Sequence, residues 1–149
     1  MYKRQALGNG GSATDAMDVV ADLRIPPDPR WRPRRAIDLT EDASIITAVA
    51  NDIGVEAIFT RQIIAHGSAG DVLLALSTSG NSANVIAALV EARRRELRTI
   101  AMVGYDGGRV LAERLADRVI VTRSEHIPRI QEAQASAYHV LCDLVGAGG

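Results

Sequence analysis

Asp18 and Asp22 lie four positions apart in a stretch with helical apolar spacing, so both carboxylates fall on one helix face. Gln131 and His139, eight apart in a second helical stretch, are a little over two turns apart and also share a face. Carboxylate and imidazole can act as base and acid in a proton transfer. With the amide oxygen they can equally hold a divalent metal. Spacing alone leaves both open, beside the plainer readings of a solvated helix face for the aspartates and a core or interface histidine. A third group is the run Ser77-Thr78-Ser79-Gly80-Asn81-Ser82. Its hydroxyls and its glycine, followed by free amides at a helix start with Ser82 at the N-cap position, form a socket for an anion. The lysine of a P-loop is absent, which argues against a nucleoside triphosphate and for a phosphorylated small molecule. An ordinary polar turn between strand and helix is the alternative.

These groups need elements to carry them. Apolar strand patterns fall at 35–39, 72–77, 99–103 and 118–121, with a stub at 5–7. Helical patterns fall at 13–23, 43–51, 55–65, 83–94, 109–115 and 127–145. The alternation, with strands apolar on both faces, predicts an α/β fold: three layers, with a parallel sheet covered by helices on each side. Right-handed crossovers put the loops after the strands along one sheet edge, where such sheets bind ligands. The 149 residues suffice for one domain with a real core. Four of the five prolines fall within residues 25–33, read as an ordered surface loop.

A second glycine loop, Gly8-Asn9-Gly10-Gly11-Ser12-Ala13, also opens a helix. It fits the loose dinucleotide fingerprint, but the acidic residue expected about 20 positions on is missing. The nearest, Asp38, comes 30 after Gly8. A tight turn presenting Ser12 and nearby amides to the same ligand is the better reading. Val103-Gly104-Tyr105-Asp106-Gly107-Gly108 reads as a turn whose glycines allow tight geometry rather than chemistry.

Composition excludes several classes. Hydrophobic residues make up 47%, charged residues 23%, and the net charge is -1, so neither nucleic acid nor an anionic membrane is an expected partner. The basic run from Arg30 to Arg35 reads as a solvated loop, and Arg93-Arg94-Arg95 as cations at a helix end. No stretch approaches the roughly 20 apolar residues of a membrane span. The single cysteine, Cys142, forbids an internal disulfide and suits a reducing cytoplasm.

Taken in order, Gly8-Asn9-Gly10-Gly11-Ser12, Asn51-Asp52, Gly70-Asp71-Val72-Leu73-Leu74, the serine run, Asp106-Gly107-Gly108 and Arg129-Ile130-Gln131-Glu132 resemble the sugar isomerase (SIS) domain, and within it the phosphoheptose isomerases. The resemblance covers nearly the whole chain. It implies interconversion of D-sedoheptulose 7-phosphate and D-glycero-D-manno-heptose 7-phosphate through an enediol. It implies phosphate binding by Ser12, Ser77, Thr78, Ser79 and Ser82, with Asp52 facing the sugar hydroxyls and Asn9, Gly10, Gly11, Asn51 and Gln131 among the other residues that bind the substrate or its phosphate. The family's metal and acid/base cluster maps onto Asp18, Asp22, Gln131 and His139, with zinc or another divalent cation as the implied cofactor. His139 and Asp22 would be the proton-transfer pair. A homotetramer, or a dimer, is implied, with active sites between subunits.

The chain also departs from the family. Asp18 stands where relatives usually carry His, and Asp22 where they carry Glu, which shortens the side chain by about 1.5 Å. Pro128 stands where relatives can carry Asp. Only seven residues precede Gly8, where the family has a helix and a fuller strand, and Tyr2-Lys3-Arg4-Gln5 does not read as a buried strand. A non-catalytic SIS module that binds a phosphosugar, or serves as an adaptor of the type associated with the bacterial replication initiator, is the second reading.

Overall fold

In a computed structural model, which describes residues 2–148, apolar runs and helical stretches alternate as β1 (Arg4–Leu7), α1 (Gly11–Arg24), β2 (Ala36–Asp38), α2 (Ala43–Asp52), α3 (Thr60–His66), β3 (Val72–Ser77), α4 (Ala83–Arg94), β4 (Arg98–Gly104), α5 (Gly108–Ala112), β5 (Arg118–Thr122) and α6 (Ile127–Ala147). All strand pairs are parallel and the order is β2-β1-β3-β4-β5. The order reverses between β1 and β3, and the loops leaving these two strands diverge there, which opens a crevice at the carboxyl edge of the sheet.

Two apolar layers sandwich the sheet, as the doubly apolar strands require. Leu7, Leu73, Ala75 and Val103 pack against Phe59, Ile63, Leu89 and Val110 on one face. Ala6, Leu74, Leu76 and Met102 pack against Ala16, Val19, Val20 and Tyr138 on the other. Each fully buried large side chain contributes about 1.5–3 kcal/mol of transfer free energy.

Three expectations are corrected. Residues 4–7 are a full strand inside the sheet, paired with β2 and β3, and Gln5 is 0% exposed. Its polar residues hid it: burial comes from neighbours on both edges, not from its own pattern. The expected helix at 55–65 is a 3-10 turn at Val55–Ala57 followed by α3, and the break lets Ile58, Phe59 and Ile63 all reach the core. α5 is shorter than its pattern, closed by Arg114 in the left-handed region at φ 52°.

At the amino edge of the sheet, Asp71 is 2% exposed and ties β1 to β3. It accepts from the amides of Lys3 (2.8 Å) and Ser68 (3.0 Å) and pairs with the Lys3 ammonium at 2.9 Å. Burial alone pushes this carboxyl up, but the two amides and the ammonium together hold it below its ordinary value.

Candidate active site

The serine run forms the turn between β3 and α4. Ser77 Oγ accepts from the Gly80 amide at 3.2 Å and lies 3.3 Å from Ser82 Oγ. Ser82 occupies the N-cap position of α4, yet its hydroxyl bonds none of the helix amides. At α2, by contrast, Asp42 accepts from the amides of Ser44 and Ile45. The first turn of α4 therefore keeps donors without intrahelical partners at the point where an anion would sit. Asn9, Ser12, Leu76, Ser77, Thr78 and Ser82 line one small recess there. Ser79, expected among the phosphate ligands, accepts from the Asn81 amide at 3.1 Å. It lines a separate cleft of about 760 Å³ with Asn81, Tyr105, Asp106 and Arg123.

The turn after β4 seats this loop. Gly80 (φ 63°) and Gly108 (φ 53°) cross backbone to backbone: a Cβ on Gly80 would strike the Gly107 carbonyl, and one on Gly108 the Ser79 carbonyl. Gly104 N donates to Thr78 O at 2.9 Å, Val110 N to Gly80 O at 3.1 Å, and Arg109 N to Asn81 Oδ1 at 2.9 Å. The glycines after β4 thus permit close packing, as their sequence suggested.

The other wall is the turn from β1 into α1. Ser12 is 3% exposed, and Gly10, at φ 57°, precedes the helix. The Asn9 side chain pairs reciprocally with that of Asn84, at 2.9 and 3.0 Å. Gln131, from the start of α6, lies directly over Gly11, so that any side chain at 11 would overlap its amide. The two expected groups on separate helices, the glycine loop and Gln131, meet here.

Further along the seam between α1 and α6, His139 Nε2 stands 3.9 Å from Asp22 Oδ2, with side chains 58% and 29% exposed. The carboxylates of α1 form a stripe that begins earlier than the sequence reading placed it. Asp15 has one buried carboxylate oxygen without a hydrogen-bond partner. Burial raises its carboxyl, and Asp18 adds to the rise, while His139 opposes it. Burial, then Asp18, Asp15 and Asp22, pushes the Tyr138 phenol up to about 12. Burial and Asp22 push the Cys142 thiol up to about 11. The spacing 15, 18, 22 was the available signal for Asp15, since residues three and seven apart share a helix face.

Asn51 and Asp52 fall elsewhere, exposed at the end of α2. Among the described residues, the one side-chain bond recorded for either is the 2.8 Å bond between them. A metal finds no ready cage: Asp22 and His139 are a close pair, but among the described residues no three His, Cys, Asp or Glu side chains come together as ligands.

The SIS domain model matches residues 3–104, a stretch that contains the glycine loop, the serine loop and the first four strands. The chain belongs to the SIS domain family. It is 46% identical over 145 residues to the phosphoheptose isomerase of Citrifermentans bemidjiense, which covers 96% of this chain and 73% of that protein. Its fold matches the phosphoheptose isomerase structure from Neisseria gonorrhoeae at a TM-score of 0.90 and 40% identity, over 98% of this chain and 77% of that one. The corresponding structure from Francisella tularensis gives 0.92 at 34% identity, with the same coverage. The expected α/β fold of this family is therefore observed. No helix among the described residues is long and apolar enough to cross a membrane.

Proposed function

We propose that this SIS-family chain is a phosphosugar aldose–ketose isomerase that interconverts D-sedoheptulose 7-phosphate and D-glycero-D-manno-heptose 7-phosphate. The observation that carries this reading is the His139–Asp22 pair, 3.9 Å apart, on the same two helices that close over the glycine loop. The phosphate sits in the recess of Ser12, Ser77, Thr78 and Ser82, against the uncapped amides of α4. Ser79 shapes that loop through its bond to Asn81. Asn9, the amides of Gly10 and Gly11, and Gln131 orient the sugar oxygens. An aldose–ketose shift needs one group to move a proton between adjacent carbons and another to move one between their oxygens. Asp22 and His139 take these two roles, and the enediol forms and collapses between them.

A homo-oligomer is part of the same proposal. An imidazole whose side chain is 58% exposed transfers protons more effectively once bulk water is excluded, and a second copy would provide that cover. Asn51 and Asp52, on an exposed helix end, are free to serve a neighbouring copy. A cytoplasmic setting goes with the sugar phosphate substrate and the reduced Cys142.

The test is incubation with sedoheptulose 7-phosphate, with aldose formation followed by NMR. Formation that disappears in His139→Ala, with sugar phosphate affinity retained, is the expected result. One observation favours the second reading, a non-catalytic phosphosugar-binding or adaptor module: the gap between His139 and Asp22 exceeds hydrogen-bond length. Binding without any aldose formation would decide for it.

A further inference from the structure

We propose that Asn84 is a positioning residue for this site, acting through Asn9. The inference rests on the phosphosugar reading above. Asn84 lies in the first turn of α4, two residues after Ser82, and is 6% exposed. It does not line the recess; Asn9 does. Each amide donates to the other's oxygen, Asn9 Nδ2 to Asn84 Oδ1 at 2.9 Å and Asn84 Nδ2 to Asn9 Oδ1 at 3.0 Å. Among the described residues, this pair is the one hydrogen-bonded link recorded between the glycine loop and the start of α4, across 75 positions of sequence.

An asparagine amide has two N–H donors and an oxygen with two lone pairs. The reciprocal pair uses one donor and one lone pair of each residue. Asn9 keeps the other donor and lone pair, and its exposed side of the recess is where a ligand's oxygens arrive. Turning either amide alone would set oxygen against oxygen and NH₂ against NH₂. Asn84 therefore holds the Asn9 amide in a complementary orientation, with one edge donating as the other accepts. Its loss affects orientation more than stability, because the freed Asn9 amide is exposed and can bond water instead. A sugar hydroxyl would then meet an amide free to rotate.

The experiment is a double-mutant cycle in the full chain with Asn84→Leu, Asn9→Ala and the double variant. It is read by kcat/KM for sedoheptulose 7-phosphate and by its calorimetric Kd. Asn84→Leu is expected to lower kcat/KM about tenfold, the scale of one lost oriented hydrogen bond. On the Asn9→Ala background the same change should cost less than about twofold, because its only route of action is gone. A purely structural role would cost the same factor in both backgrounds, and that result would overturn the proposal. So would an Asn84→Leu variant with wild-type kcat/KM and Kd. Should Asn84→Leu fail to fold, Asn84→Ser enters the same cycle. Wild-type binding without turnover would remove the isomerase reading alone and leave the cycle to be decided in Kd. Absence of both would overturn both.

Discussion

The recess between β1 and β3 and the seam between α1 and α6 are built in opposite ways. The recess is small, mostly buried and locked by backbone: two glycine turns cross without side chains between them, and Asn9 and Asn84 tie its walls. The seam is open and charged, with three carboxylates along α1 and an imidazole more than half exposed. The proposed phosphate recess is thus lined by residues of a single copy of the chain. The seam, where proton transfer is proposed, brings His139 and Asp22 within 3.9 Å but leaves them without cover. Affinity for the phosphate should depend on fold precision, and turnover on a few side chains and on whatever shields them.

The largest expected effect is at the seam. His139→Ala should cut turnover by about 10²–10⁴-fold, the usual contribution of a general acid or base. The Kd of the sugar phosphate should move less than about threefold, and a parallel loss of binding would merge the two regions into one. Gly108→Ala breaks the recess instead. Its methyl would meet the Ser79 carbonyl from a left-handed backbone, so calorimetry should show phosphate affinity down at least tenfold, with about 1–3 kcal/mol of stability lost.

Asp71→Asn serves as a control away from both regions. It should lower stability by about 1–3 kcal/mol near neutral pH, because it weakens a buried, multiply bonded carboxylate. The depressed folded-state pKa makes that contribution complete well above 3.8 and lost as pH falls below it, so wild type and variant should converge in acid denaturation curves. kcat/KM at neutral pH should stay within about twofold, the range of a substitution away from the site. The smallest effect belongs to Asp18→Ala. The residue is exposed and joins no metal cage among the described residues, so turnover should change less than about threefold. A larger drop, reversed by added zinc, would show that the seam closes around a cation.

Much of the fold was legible because apolar patterning is local. β3 and α4 have the bounds that their residues predict, and the serine loop between them needed no tertiary information. β1 was legible only as a stub at 5–7, since Gln5 gives no sign that strands will flank it on both edges. Gly11 and Gln131 were each visible as motif residues, but their contact depends on how α6 lies across α1. Asn84 was invisible for the same reason: its partner is 75 positions away. Asp15 differs in kind, because its spacing from Asp18 and Asp22 along α1 is local and is present in the sequence.

The position of β1 also bears on synthesis. It can pair with β2 soon after both emerge, but its other partner begins at Val72, 68 positions after Arg4 in the register. At roughly 5–20 residues per second, that edge stays open for about 3–14 s on the ribosome. An open strand edge is a template for another nascent chain, most of all when it is apolar throughout. Gln5 interrupts the strand with an amide that, in the finished core, has no recorded partner for either of its polar atoms. Arg4, the first residue of the same strand, sets a charge on the waiting edge, and a charged edge is a poorer template for misassembly.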